Sequence, residues 1–147
     1  MVSEIRGPIG EEGFLIRSVD YGDSHRILNF FTKGKGRIDL IALGAKKSKK
    51  RFSGLLDYFN QLQLLYRENP RGSLGRLEEV TLKKTFPGIR QDYEKSMVGL
   101  EWVRLLREVV PEGARIPQLY DLFDLALRHL ERENAAWADV LFRRRAL

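Results

Sequence analysis

Between Gly44 and Phe52 the chain reads Gly44-Ala45-Lys46-Lys47-Ser48-Lys49-Lys50-Arg51-Phe52, five cations in six positions directly after an apolar stretch. Like charges crowded into a folded chain repel one another unless counter-charges are close, so their natural complement is a polyanion. Ammonium and guanidinium groups meet phosphate oxygens through charge-assisted hydrogen bonds. Such contacts position a strand without reading its bases. The competing reading is a solvated basic loop with no ligand.

Little else in the chain suggests reactive chemistry. There is no cysteine, which excludes disulfides, thiolate catalysis and cysteine-bound zinc or iron–sulfur sites. His25 and His129 stand alone, without a second ligand at metal-binding spacing. No Ser/His/Asp arrangement, phosphate-binding glycine loop or dinucleotide fingerprint occurs. Asp20 and Asp23 flank Gly22, where aspartate serves a turn through its backbone hydrogen bonding. The chain therefore reads as a non-enzyme, with no metal and no cofactor expected. No stretch reaches the ~20 apolar residues that span a bilayer, and the first residues lack the apolar segment of a signal peptide. A cytoplasmic location is the expectation.

Charge is divided unevenly along the 147 residues: positions 1–85 hold 16 Lys/Arg against 10 Asp/Glu, and positions 86–147 hold 10 against 10. The whole net charge of +6 thus lies in the first part. A generally basic surface would spread its excess, so the N-terminal part is the candidate polyanion binder. The balanced second part reads as scaffold or docking surface.

The elements that must carry the basic loop can be read from hydrophobic period and turn residues. Gly13 to Val19 and Arg26 to Thr32 form a hairpin about the Asp20-Tyr21-Gly22-Asp23 turn. Lys33-Gly34-Lys35-Gly36 turns the chain into a third strand, Arg37 to Leu43, with Ile38, Leu40 and Ala42 on one face. Asn60 to Tyr66 gives a fourth strand, and Leu74 to Leu82 a fifth after the Asn69-Pro70-Arg71-Gly72 turn. Five short strands suggest a small antiparallel barrel, and the oligonucleotide-binding barrel fits the count, as do SH3-type barrels.

From Phe86 the period becomes helical. One helix is expected from about Arg90 to Val110, ended by Pro111-Glu112-Gly113, a second from Pro117 and a third from Ala135 to about Arg145. Leu119, Leu122, Phe123, Ala126, Leu127 and Leu130 lay one stripe along the second. The fold class is therefore α+β: a five-stranded oligonucleotide-binding barrel over 1–85 and a small helical bundle over 86–147.

Arg26, Lys33, Lys35 and Arg37 lie on or beside the second and third strands, the face such barrels often offer to oligonucleotides. Each can equally be a solubilising charge. Tyr21, Phe52, Tyr58 and Tyr66 interleave with the cations and could stack on bases, although core packing competes. Phe14, Phe30, Phe31 and Phe59 belong in the core. Trp102 and Trp137 are expected in helix packing, an exposed one being a possible partner anchor. Arg143-Arg144-Arg145 suit the negative end of a helix dipole as well as phosphate.

Taken in order, Glu12-Gly13-Phe14-Leu15-Ile16-Arg17, Asp20-Tyr21-Gly22-Asp23-Ser24, Arg26-Ile27-Leu28, Gly36-Arg37-Ile38 and Gly44-Ala45-Lys46-Lys47 resemble the N-terminal part of the RecO family of bacterial recombination mediators. Phe52-Ser53-Gly54-Leu55-Leu56, Phe86-Pro87-Gly88-Ile89-Arg90 and Pro111-Glu112-Gly113 continue the likeness through most of residues 11–147. The resemblance implies an oligonucleotide-binding barrel followed by a helical domain, in a protein that binds single- and double-stranded DNA and anneals complementary strands. It implies association with the nucleoid, and as partners a RecR-like protein, the single-strand-binding protein and the recombinase that is loaded.

Carried over residue by residue, Lys46, Lys47, Lys49 and Arg51 match the family's basic loop, and Arg17, Arg26 and Arg37 its basic strand positions; Lys35 and Lys50 add to them. Ser48 stands where the family loop commonly has proline, and Lys50 is an extra cation, which implies a more flexible, more charged loop. Family members also run on past the position of Leu147 through further helical sequence, often with a four-cysteine zinc module, on which contacts to the single-strand-binding protein would depend. A second class of function, a docking adaptor of a repair complex with incidental DNA contact, fits the neutral helical half.

Overall fold

The computed structural model describes residues 7–47, 52, 54–72 and 74–146. Five strands, β1 (Ile9–Tyr21), β2 (His25–Thr32), β3 (Gly36–Ala42), β4 (Gln61–Arg67) and β5 (Gly75–Lys84), close into a barrel in the order β1-β2-β3-β5-β4. All neighbours are antiparallel except β3 and β5, which meet in a short parallel pairing at Leu40↔Gly75 and Ile41↔Arg76. This is the expected oligonucleotide-binding barrel, with one parallel seam in an otherwise antiparallel sheet.

β1 starts four residues earlier than its apolar run suggests. Ile9 to Phe14 pair with β4, and Gly13 to Tyr21 pair with β2, so one long strand serves both neighbours. Gly13 sits at the changeover, where a Cβ would lie 3.1 Å from the Phe31 carbonyl oxygen. A bulge between Leu15 and Arg17 inserts Ile16 and sets Arg17 opposite Asn29.

The alternation of β1 to β3 separates two cores. Leu15, Leu28, Phe30, Leu40, Ala42, Leu62, Leu64, Tyr66 and Leu77 fill the barrel. Phe14, Ile16 and Phe31 face outward and pack with Trp102, Tyr120 and Phe123 of the helices, with Phe14 and Phe123 in edge contact at 4.9 Å. Barrel and helices therefore share one apolar cluster.

The expected first helix is two: α1 (Pro87–Arg90) and α2 (Tyr93–Val109). The break has a local cause, since the Asp92 carboxylate accepts the Lys95 backbone N–H at 3.1 Å and starts α2 afresh. α3 (Pro117–Arg132) begins with proline at its first turn. α4 (Ala135–Ala146) is capped by Asn134, whose Oδ1 accepts from Ala136 N–H at 2.9 Å. On α3, Phe123, Ala126, Leu127 and Leu130 are buried as the stripe predicts.

The segment between α2 and α3 returns to the barrel. Glu112 bridges Arg37 in parallel, and Gly113 N–H donates to the Arg37 carbonyl at 3.0 Å, completing the edge of β3 that β5 leaves open. Gly36 has φ of 68° there, and a Cβ on it would overlap the Ala114 carbonyl. Two arginines lock the same joint. Arg37 Nη1 donates to the carbonyls of Arg107 (2.6 Å) and Val110 (3.1 Å), and Arg107 Nη1 donates to Ile16 O (2.6 Å) at the bulge.

Candidate nucleic-acid interface

The basic loop leaves β3 beside the β1–β2 turn, and the two are tied together. Gly44 N–H donates to His25 Nδ1 at 2.9 Å, and Lys46 N–H donates to the Ser24 carbonyl at 3.0 Å. Gly44, with φ of 74°, makes the bend that turns the chain back toward β2. A histidine nitrogen that accepts a backbone N–H carries no proton, so the His25 ring holds its proton on Nε2 here.

Side chains follow the same stitching. The hairpin register puts Asp20 opposite Arg26. Asp20 Oδ1 lies 3.6 Å from Arg26 Nε and its Oδ2 lies 3.5 Å from Lys46 Nζ, while Arg26 Nη1 reaches Ser18 Oγ at 3.4 Å. Lys47 is exposed, with no ion-pair partner among the described residues. Arg26, Lys46 and Lys47 thus meet at one end of the barrel, and a phosphate backbone laid across that end would face all three. Lys49, Lys50 and Arg51, with Ser48, lie outside the described residues.

Arg17 is exposed on the outer face, two strand positions from Val19 and four from Tyr21. Of the four aromatics that interleave with the cations, Phe52 and Tyr66 are buried, Tyr58 is half-buried, and Tyr21 alone is open, at 51% exposure. Burial pushes the Tyr66 hydroxyl from 10.0 up to about 12, with repulsion from Glu11 and Glu68 adding to it. Base stacking at this surface therefore falls to Tyr21.

The remaining candidates sit elsewhere. Lys35 is exposed in the β2–β3 turn, which Thr32 Oγ1 closes by accepting Lys35 N–H at 3.0 Å. That turn is at the far end of the hairpin from Gly44, roughly 20 Å away at strand rise. Lys33 pairs with Asp121 of α3 at 3.2 Å. The structure gives Arg37 a task other than the exposed phosphate contact expected of it: its guanidinium caps the last turn of α2, where helix carbonyls are unpaired and the dipole is negative.

Sequence reasoning missed Asp20 as an ion-pair partner, His25 as the anchor of the loop, and Arg107 as the second half of the joint. The first had a signal, because a hairpin turning at Tyr21–His25 must place Asp20 beside Arg26. The packing expected of both tryptophans is met by Trp102, which is fully buried and donates from Nε1 to Asp139 Oδ1 at 2.7 Å. Trp137 is instead 50% exposed, on a groove of about 290 Å³ between α3 and α4 lined also by Leu122, Leu125, His129, Leu141 and Arg145. Among the described residues, no group of three His, Asp or Glu is placed to hold a metal ion, and no helix is long and apolar enough to cross a membrane.

A closed five-stranded barrel with cations gathered at one end, fused through a shared core to a helical part, defines an oligonucleotide-binding class of protein. Comparison with known proteins is consistent throughout. Residues 8–86 match the family described as recombination protein O N terminal, and residues 90–147 match recombination protein O C terminal. The chain belongs to the RecO family.

Similar curated proteins include the DNA repair protein RecO of Geobacter sulfurreducens, 35% identical over 137 residues, covering 92% of this chain and 55% of that one. The DNA repair protein RecO of Desulfatibacillum aliphaticivorans is 30% identical over 86% of this chain and 50% of its own. That of Myxococcus xanthus is 32% identical over 89% and 53%. The chain spans about half the length of the curated relatives it matches.

Proposed function

We propose that this chain is a non-catalytic DNA-binding protein of recombinational repair that grips the phosphate backbone of single- and double-stranded DNA and promotes annealing of complementary strands. With a RecR-like protein and the single-strand-binding protein as partners, it would help load a recombinase at the bacterial nucleoid. The observation that carries the reading is the stitched turn and loop, which gathers Arg26, Lys46 and Lys47 at the barrel end from which Lys49, Lys50 and Arg51 follow in sequence. Arg17 extends the surface along β1 and Lys35 marks its far limit, whereas Arg37 belongs to the joint. Family membership and the names of the relatives support the repair role.

Lysine and arginine on phosphates read charge rather than base edges, so sequence preference should be weak, which annealing of arbitrary strands requires. Replacing Lys46, Lys47, Lys49, Lys50 and Arg51 together with alanine should weaken binding to labelled single strands by roughly a hundredfold near physiological salt. Unchanged affinity in that variant would remove the loop from the site.

A second reading, a protein-docking adaptor, is favoured by Trp137 over the α3–α4 groove. Fluorescence anisotropy with single-stranded DNA, with and without each candidate partner, separates the two. Tight binding by the chain alone argues against a pure adaptor, and binding that depends on a partner argues for one.

A further inference from the structure

Both cations tied into the turn, Arg26 and Lys46, are engaged by one carboxylate. Asp20 directs one oxygen to each, at 3.6 Å to Arg26 Nε and 3.5 Å to Lys46 Nζ. These separations exceed those of a closed charge-assisted hydrogen bond. The three side chains keep 56%, 40% and 39% of their surface open, in the order Asp20, Arg26, Lys46. Pairs this open are weakly held. Arg26 Nε is itself a buried atom without a hydrogen-bond partner, a donor still waiting for an acceptor oxygen.

A phosphodiester, like a carboxylate, presents two oxygens that share one negative charge. We infer that Asp20 is a built-in substitute for a backbone phosphate: it holds Arg26 and Lys46 ready for a two-oxygen anion in the free protein and is displaced when nucleic acid binds. This rests on the DNA-binding reading and adds to it a regulator of affinity. Ordering of two long side chains is met before binding, while the exchange of one anion for another keeps the grip weak enough for a strand to shift during annealing.

Asp23 supplies the control. It belongs to the same turn, is exposed, and pairs with no cation among the described residues. Asp20→Asn and Asp23→Asn raise the net charge equally, so any difference between them reports the ion pairs rather than the overall field. Binding of a labelled single-stranded oligonucleotide to the full chain would be followed by anisotropy between ~50 and ~200 mM salt.

D20N is expected to tighten binding roughly three- to tenfold and to steepen the salt slope by about 0.7 for each cation freed, whereas D23N changes affinity less than about twofold. The gain should vanish when D20N is combined with R26A and K46A. D20S, with melting checked, should behave as D20N does.

Equal effects of D20N and D23N, a gain that survives in the R26A/K46A background, or weaker binding by D20N would each overturn the inference while leaving DNA binding in place. Absence of binding by the wild-type chain and D20N alike would overturn the DNA-binding reading and this inference with it.

Discussion

Arg37 and Arg107 cross the joint between barrel and helices in opposite directions, each placing a guanidinium on carbonyls that the other side leaves unpaired. Charge-assisted bonds of this kind contribute about 1.5–3 kcal/mol, so R37A should lower the urea-unfolding free energy by roughly that amount. The folded fraction of R37A should bind single-stranded DNA within about twofold of wild type, because its charge is already engaged. A large loss of affinity with unchanged stability would return Arg37 to the DNA surface. From sequence, Arg37 and Arg26 look alike, a cation on a strand beside turns. Contacts 70 and 73 positions away in the chain decide between them, and no local pattern encodes those. The Asp20–Arg26 pair is the reverse case, written into the hairpin register and legible once the turn is placed.

The hairpins and α3 were legible because their signals are local: glycine and aspartate at the turns, period two along β2 and β3, and the apolar stripe of the helix. The first residues of β1 were not, since Gly10-Glu11-Glu12 lacks apolar alternation. It is held as strand by pairing to β4, with Glu12 taking an ion pair from Lys83 of β5. The seam at β3 is likewise invisible locally, because the element that completes it, Glu112–Gly113, lies after α2. Its tightness gives a test: G36A puts an L-residue in the left-handed region and against the Ala114 backbone. At a cost of at least about 2 kcal/mol, the melting midpoint should fall by roughly 6–10 °C. A midpoint within a degree of wild type would mean that the α2–α3 segment does not close the seam.

Because Phe14, Ile16 and Phe31 of the barrel lie in the same cluster as Trp102, Tyr120 and Phe123, residues 1–85 and 86–147 should unfold together. In a W137F background, fluorescence of the buried Trp102 and far-ultraviolet circular dichroism should give coincident urea transitions, and separated midpoints would show the two parts to be independent. Alkaline pH probes the same packing. Burial raises the hydroxyls of Tyr66 (to about 12) and Tyr120 above the ordinary 10.0, so the unfolded chain ionises first. Stability contributed by these neutral phenols is intact below pH 10 and is lost as pH rises through about 12 for Tyr66. Y66F should flatten that loss, and an unchanged alkaline limb would remove Tyr66 as its source.

At this scale the molecule is one body with its positive excess in the first 85 residues and its ordered cations at one barrel end. The most direct measurement is therefore the salt dependence of single-stranded DNA binding by the unmodified chain. If about five phosphates are neutralised, log K should fall against log salt with a slope near −3.5, roughly a hundredfold loss between ~50 and ~200 mM. A slope near zero, with affinity unmoved by salt, would contradict a phosphate-gripping surface.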